Sequence, residues 1–493
     1  MDVNSQNFWL VLPGLLQSLA DCDFAVIDLE MSGGVTDRDD SRYSGLSGKE
    51  LSYAMAAHAA TQYNILEFGL TLIKNPKDKN SEFVTTTYNF AVNNLFFQDT
   101  RDEYIFQRSQ ERVINFSVTA LDFFKKKGVD PMTLNGFEGE HRAGVPFLSR
   151  KEREEAIEQA IRDRKFTRVG CEEMDIPART FYEDNIELIR KWYNAKPACA
   201  TSPEADPRPN SQVIMLHPRS TRVSLYRRLV AEILEEYPDC FMEPFYSYGM
   251  RISVKTAETL KIEEEKRRVR VSAREATIKK QSCLSIVFEA LCGGNFLDLI
   301  DTVELSVTLA ACPGWRNNIG DLQRHLNKCQ TALRAKRPVL VGHNMVYDLT
   351  FLYDAFVGCL PATLAGFQFR LLAIFPRIID TKVLAVHINH VDGNDPLGAL
   401  YNDFKHGRPE ITHALGFGYN VDQGRAHSAG FDSYMTAVVL IRGSCRKLAK
   451  VKRGLPPWES EFWGSVRNTI RLGRGTKHVL GESTSETSMC VMI

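Results

Sequence analysis

The chain has 493 residues, 44% hydrophobic and 25% charged, with 61 Lys/Arg against 61 Asp/Glu. That length exceeds one ordinary domain, and the composition excludes a disordered or fibrous chain. Zero net charge excludes a global pull toward nucleic acid, so any basic surface must be local.

Eleven cysteines without a C-x-x-C pair argue for reduced thiols in an intracellular protein, not a disulfide framework or zinc site. The start, MDVNSQNFWLVLPGLLQSLADC, lacks a basic n-region and carries Pro13 inside its apolar run. It reads as a short packed helix, not a signal peptide. No stretch approaches the ~18–20 apolar residues of a membrane span.

FAVIDLEMSG (24–33) then runs four apolar residues into Asp28 and Glu30. Residues two apart in a strand share a face, so a strand here aims both carboxylates at one spot near a core. Two like charges together need a positive species between them. A polar, Gly-rich loop follows (Ser32 to Lys49), then strand-like runs at 67–73 and 85–92. The spacing predicts a helix over 113–128 and a charged helix over 151–165. Residues 196–212 hold four prolines and read as a linker. From Arg208 to Lys280, 15 Lys/Arg face 10 Asp/Glu. That basic stretch reads as a nucleic-acid-binding insert or, over KIEEEKRRVR (261–270), as a solvated helix face. RPVLVGHN (337–344) is strand-like and leads into a helix from about Met345 to Phe356. RIIDTKVLAVHI (377–388) and a helix from about Gly430 to Leu448 complete the second block. The Gly/Ser/Thr-rich remainder from 451 is expected to be a poorly ordered tail.

Two later stretches supply partners for the opening acids. VGHNMVYDLTFL places Asp348 on a helix just after a buried strand, and AHSAGFDSYMTAVVL places His427 five residues before Asp432. Singly, each is an ordinary feature: an edge pair, a solvated helix acid, a satisfied histidine, an N-cap. Jointly, four carboxylates can hold two Mg²⁺ ions, with Mn²⁺ an acceptable substitute. Two such ions clamp the attacking and leaving oxygens of a phosphoryl displacement, and a histidine takes the proton of the attacking water. That is the chemistry of a DEDDh 3′→5′ exonuclease. The H-x-x-x-x-D spacing, with Ser428 where the DEDDy branch would carry tyrosine, selects the histidine version.

On DFAVIDLEMSG, YNILEFGLTLI, LDFFKKKGVD, GVPFLSRKER, VGHNMVYDL, FPRIIDTKVLA and HSAGFDSYMTAVVLI, the chain resembles the poly(A)-specific ribonuclease family of deadenylases. The resemblance covers residues 5–165 and 320–450. It implies an α/β, RNase H-like DEDD exonuclease core, a mixed central sheet flanked by helices, with an inserted small α/β domain. The implied layout is a first nuclease part (1–168), the insert with its linker (169–285), a second nuclease part (286–450) and a flexible tail (451–493). It makes Asp28, Glu30, Asp348 and Asp432 the metal-binding acids and His427 the general base. His343 and Asn344 would touch RNA or only satisfy local backbone; Lys382 resembles a position near RNA phosphates, with a structural lysine the competing role. Met31 stands where the deadenylase usually has phenylalanine. RVSLY (222–226) carries tyrosine where the small domain's Arg-x-x-x-His signature expects histidine, and the 45 residues after the last helix are too few for an RNA-recognition-motif domain. These departures resemble the PARN-like domain-containing branch, which trims small RNAs such as piRNA precursors.

The expected activity is removal of single nucleotides from the 3′ ends of single-stranded RNA, in small-RNA trimming or poly(A) shortening. An inactive RNA-binding scaffold and a DNA exonuclease are the competing readings. Implied partners are RNA 3′ ends, a second copy in a homodimer, and a protein that presents small RNA. Expected placement is cytoplasmic or nuclear. The final residues, CVMI, fit the C-a-a-X pattern, so prenylation of Cys490 and peripheral membrane association compete with a chance match.

Overall fold

A computed structural model describes residues 1–35, 41–46, 48–76, 82–93, 113–126, 144–161, 174–195, 213–216, 223–245, 249–311, 318–388, 395–418, 428–448, 454–472 and 476–481. The chain divides into a larger unit, Met1–Ala156 with Glu275–Ile493, and a smaller one, Ile157–Arg274. These limits fall ahead of the 169 and 285 expected from sequence.

The larger unit is built on one mixed sheet. Its strands are β1 (Asp2–Val3), β2 (Phe24–Met31), β3 (Ile65–Lys74), β4 (Phe83–Asn93) and β5 (Val145–Pro146). The smaller unit holds β6 (Val213–Leu216), β7 (Cys240–Phe245) and β8 (Gly249–Val254). The larger unit resumes with β9 (Val339–Gly342), β10 (Ile378–Asp380), β11 (Ile411–His413), β12 (Thr469–Leu472) and β13 (Thr476–Val479). Sheet order is β1-β4-β3-β2-β9-β10-β12-β13, with β5 and β11 also pairing β4. β3 pairs antiparallel with both β2 and β4, whereas β9 joins β2, β10 joins β9, and β1, β5 and β11 join β4 in parallel. A mixed sheet flanked by helices is the architecture expected of an RNase H-like core.

β2 is central, so its apolar run Phe24–Ile27 is buried on both faces, as interior strands require. Phe24, Val26, Val341 and Ile379 share a core with Leu440 and Ile441 of the long helix Ala429–Lys447. That helix lies across β2, β3 and β4. Its close approach to β3 demands Gly69, where a Cβ would sit 1.9 Å from the Ala429 carbonyl oxygen.

Two expectations need correction. The helix expected over 113–128 begins at Val118 and runs to Lys126, the last described residue there, and residues 113–117 precede it without helical structure. The supposed flexible tail contains structure: β12 pairs in parallel with β10, and β13 pairs antiparallel with β12. Trp463 between them and the preceding helix is fully buried, its Nε1–H donating to the Pro456 carbonyl at 3.0 Å. Residues 482–493, including Cys490, lie outside the described residues.

The smaller unit is a three-stranded antiparallel sheet in the order β6-β8-β7 with helices Ile176–Ala195 and Val223–Ile233. Its core joins Ile189, Leu229, Val230, Met250 and Ile252. Tyr226, the departure from the Arg-x-x-x-His signature, is 5% exposed and meets Phe181 edge-on, centroids 4.7 Å apart. It serves this core. Along KIEEEKRRVR, Arg267 pairs with Glu264 and Arg268 with Glu265, an ordinary solvated helix face. No helix among the described residues is long and apolar enough to cross a membrane.

Candidate metal centre

β9 pairs with β2 only over Phe24–Val26. Beyond Val26 that side of β2 is open, and the two acids stand there, on one face of the strand. Asp28 lies opposite Gly69 and Glu30 opposite Glu67 on β3. The turn after β9 carries the chain into helix Val346–Phe356, whose first turn holds Asp348. Its Oδ1 accepts the Leu29 N–H at 3.1 Å, so the third acid is latched to the residue between the first two. Asp432 comes from the first turn of helix Ala429–Lys447. Asp28, Glu30 and Asp432 offer carboxylate oxygens that all lie within 4.8 Å of one another.

The electrostatics follow from that crowding. Burial raises Asp28 well above the ordinary carboxylate range, and Asp348, Asp432, Glu30 and Glu67 push it further. Glu30 is raised in the same direction by burial, then by Asp432, Glu67 and Asp348. Burial lifts Asp348 to about 7, opposed by the Leu29 hydrogen bond. Among the described residues, the charges that act most on the two strand acids are all acids. Such a set stays ionised at neutral pH only with cations among it, and hard divalent ions suit an all-oxygen set. The residues therefore fit Mg²⁺ or Mn²⁺.

Sequence reasoning missed the groups that fix Asp432. Glu67 Oε2 accepts the Ala429 N–H at 3.1 Å, and Asn89 Oδ1 accepts the Gly430 N–H at 2.9 Å. Both satisfy amides that a helix start leaves without partners. Thr71 and Ser433 hydroxyls meet at 2.8 Å below them. The signal available in the sequence was a glutamate and a glycine interrupting an otherwise apolar strand, EFGLTLI.

Of the remaining sequence candidates, His343, Asn344 and Lys382 lie around the turn between β9 and the Asp348 helix. His343 Nδ1 is 3.0 Å from the Thr381 hydroxyl. Burial, helped by the Lys382 charge, lowers His343 to about 3, so it is neutral at pH 7 and offers no cation to a phosphate. Asn344 sits in the left-handed region at φ 57° with its N–H donating to Asp380. Lys382 is half-buried, and burial followed by the Arg471 charge lowers its ammonium. His427 lies outside the described residues, immediately before Ser428, where the Asp432 helix begins.

Residues 3–440 match the CAF1 family ribonuclease profile. The chain belongs to the CAF1 ribonuclease family. It is 23% identical over 456 residues to poly(A)-specific ribonuclease PARN of Danio rerio, covering 90% of this chain and 59% of that protein. It is 31% identical over 159 residues to poly(A)-specific ribonuclease PNLDC1 of Pongo abelii, 30% of each chain. The chain thus spans about three-fifths of the PARN relatives it matches. Among solved structures, the S. pombe Pop2p structure in its Mg²⁺- and Mn²⁺-bound form aligns over 90% of this chain and 91% of that one. Identity there is 12% and the TM-score 0.37.

Proposed function

We propose that this CAF1-family chain is a divalent-metal-dependent 3′→5′ exoribonuclease that removes nucleotides singly from unpaired RNA ends. The observation that carries the reading is the convergence of Asp28, Glu30 and Asp432 within 4.8 Å, with Asp348 latched beside them through Leu29. The names of the PARN and PNLDC1 relatives support RNA, and poly(A) in particular, as the substrate class.

In this reading Asp28, Glu30, Asp348 and Asp432 hold two Mg²⁺ ions. The ions, when bound, supply charge stabilisation for the attacking and leaving oxygens of the scissile phosphodiester. Asp28 and Glu30 are rigid because their strand is paired on β3, and Asp432 because Glu67 and Asn89 fix its helix start. His427 accepts the proton of the attacking water, and its place on the approach to Ser428 puts it next to Asp432 in the chain. Lys382 is the phosphate-contacting candidate; His343, neutral and turned toward Thr381, serves the turn.

The test is a 5′-labelled single-stranded oligonucleotide, as RNA and as DNA, with Mg²⁺ or EDTA, for wild type and Asp28→Ala. The reading predicts a one-nucleotide ladder from the 3′ end on RNA, abolished by EDTA and by the substitution, with poly(A) at most several-fold faster than a mixed sequence. RNA left intact by the wild-type protein in Mg²⁺ and in Mn²⁺ would favour the scaffold reading, and DNA shortened faster than RNA would favour the DNA exonuclease.

A further inference from the structure

Asp380, at the end of β10, is fully buried and makes no contact that the mechanism uses. A buried carboxylate needs donors, and this one takes them all from backbone. Its Oδ1 accepts the Asn344 N–H at 2.8 Å and the Lys382 N–H at 2.9 Å, and its Oδ2 accepts the Arg471 N–H at 3.1 Å. The Met345 N–H also bonds it. Three separated segments meet on this one group: the turn before the Asp348 helix, the start of helix Thr381–His387, and β12 near the end of the chain.

The turn is the unusual one. Asn344 sits at φ 57°, in the left-handed region that few residues other than glycine enter and that asparagine tolerates best. Next to it a Cβ on Gly342 would sit 3.1 Å from Met345. Thr381 adds a second hold, its hydroxyl donating to the Gly342 carbonyl at 3.0 Å and lying 3.0 Å from His343 Nδ1. Four residues after Asn344 the same turn delivers Asp348. On the far side, Arg471 belongs to the segment beyond residue 440, where the family match stops. That segment is tied in elsewhere too: Asn468 exchanges hydrogen bonds with Ile378, its N–H donating to the Ile378 carbonyl at 2.9 Å and its Oδ1 accepting the Ile378 N–H at 2.9 Å.

We propose that Asp380 is the positioning residue for Asp348: its carboxylate locks the left-handed turn at Asn344 and couples it to the C-terminal strand β12. The described residues 454–472 are then part of the foundation of the metal centre. The inference rests on the reading of Asp348 as a metal ligand. Outer groups that orient metal ligands are typically worth 10- to 100-fold in metal affinity or activity, which sets the expected scale.

The test uses the full chain. Asp380→Asn keeps the size but turns an amide N–H₂ toward one set of backbone N–H donors. Mn²⁺ binding is measured by calorimetry, alongside the Mg²⁺ dependence of the rate. The proposal predicts a Kd for Mn²⁺ weakened on the order of 10- to 100-fold and a rate recovered by raising the metal concentration. Thr381→Val, which loses only the second hold, should weaken metal binding in the same direction by less, and it carries the test if Asp380→Asn fails to fold. Wild-type Mn²⁺ affinity in a folded Asp380→Asn, or in Thr381→Val if that is the variant that folds, overturns the inference even if the melting temperature drops. A wild-type protein that binds no Mn²⁺ removes the metal-centre reading itself, and this inference with it.

Discussion

Replacing Asp348 by asparagine should stabilise the metal-free protein while it destroys the metal centre. Burial lifts the Asp348 carboxyl to about 7, with the Asp380 charge pushing in the same direction. A carboxyl whose folded-state pKa is raised contributes stability that is complete below its unfolded value near 4. That contribution is lost as pH rises through 7. Each tenfold in proton affinity is worth about 1.4 kcal/mol, so holding Asp348 ionised costs the folded chain up to about 4 kcal/mol. Asp348 is half-buried, and solvent screening reduces that ceiling to about 1–2 kcal/mol. Asparagine carries no charge and its Oδ1 can still accept the Leu29 N–H, so the latch at 3.1 Å survives. Thermal unfolding in EDTA should show the two proteins nearly level at pH 4, with Asp348→Asn increasingly ahead up to pH 8. Saturating Mg²⁺ should reverse the order at pH 8, because only the wild type gains the binding free energy of the metal. An asparagine variant less stable than wild type in EDTA at pH 8 would refute the argument from burial of the Asp348 charge.

The affinity for Mg²⁺ should rise at least about tenfold from pH 6 to pH 8, since Asp348 goes from roughly one-tenth to nine-tenths ionised across that window and bound metal needs it ionised; a flat calorimetric profile would contradict the raised carboxyls. His427→Ala should leave Mn²⁺ affinity intact and slow single-turnover RNA cleavage on the order of 10²- to 10⁴-fold, the usual loss for a general base. Glu67→Ala should destabilise by about 1 kcal/mol, as loss of a helix cap does, and lower kcat, whereas Glu67→Gln, which still accepts the Ala429 N–H, should keep most of both. Equal effects of the two substitutions, measured by unfolding and steady-state kinetics, would show that the charge of Glu67 rather than its cap matters.

The site was legible where chemistry and local period coincide. Asp28 and Glu30 stand two apart in a strand whose apolar run announces it, and Asp348 and Asp432 each follow a recognisable strand or loop into a helix. What fixes these acids was not legible. Glu67 and Asn89 act through backbone amides far along the chain, so nothing near them in sequence marks the role. The same holds for Asp380, whose donors come from residues 344, 345, 382 and 471. The C-terminal strands were missed because TIRL and TKHV are four residues each, separated by Gly-rich chain. They also bury Arg471 and His478, which a search for apolar alternation rejects. Tyr226 stands in sequence only as a departure from the Arg-x-x-x-His signature, and its place in the small unit's core is a packing role that no local pattern revealed.

The central claim is that the converging acids are a two-metal centre, and a crystal soaked in Mn²⁺ tests it most directly through anomalous scattering. The account predicts two peaks about 4 Å apart, in contact with Asp28, Glu30, Asp348 and Asp432 and absent from crystals of Asp28→Ala. No peak among these four carboxylates at saturating Mn²⁺ and pH 8 would contradict it.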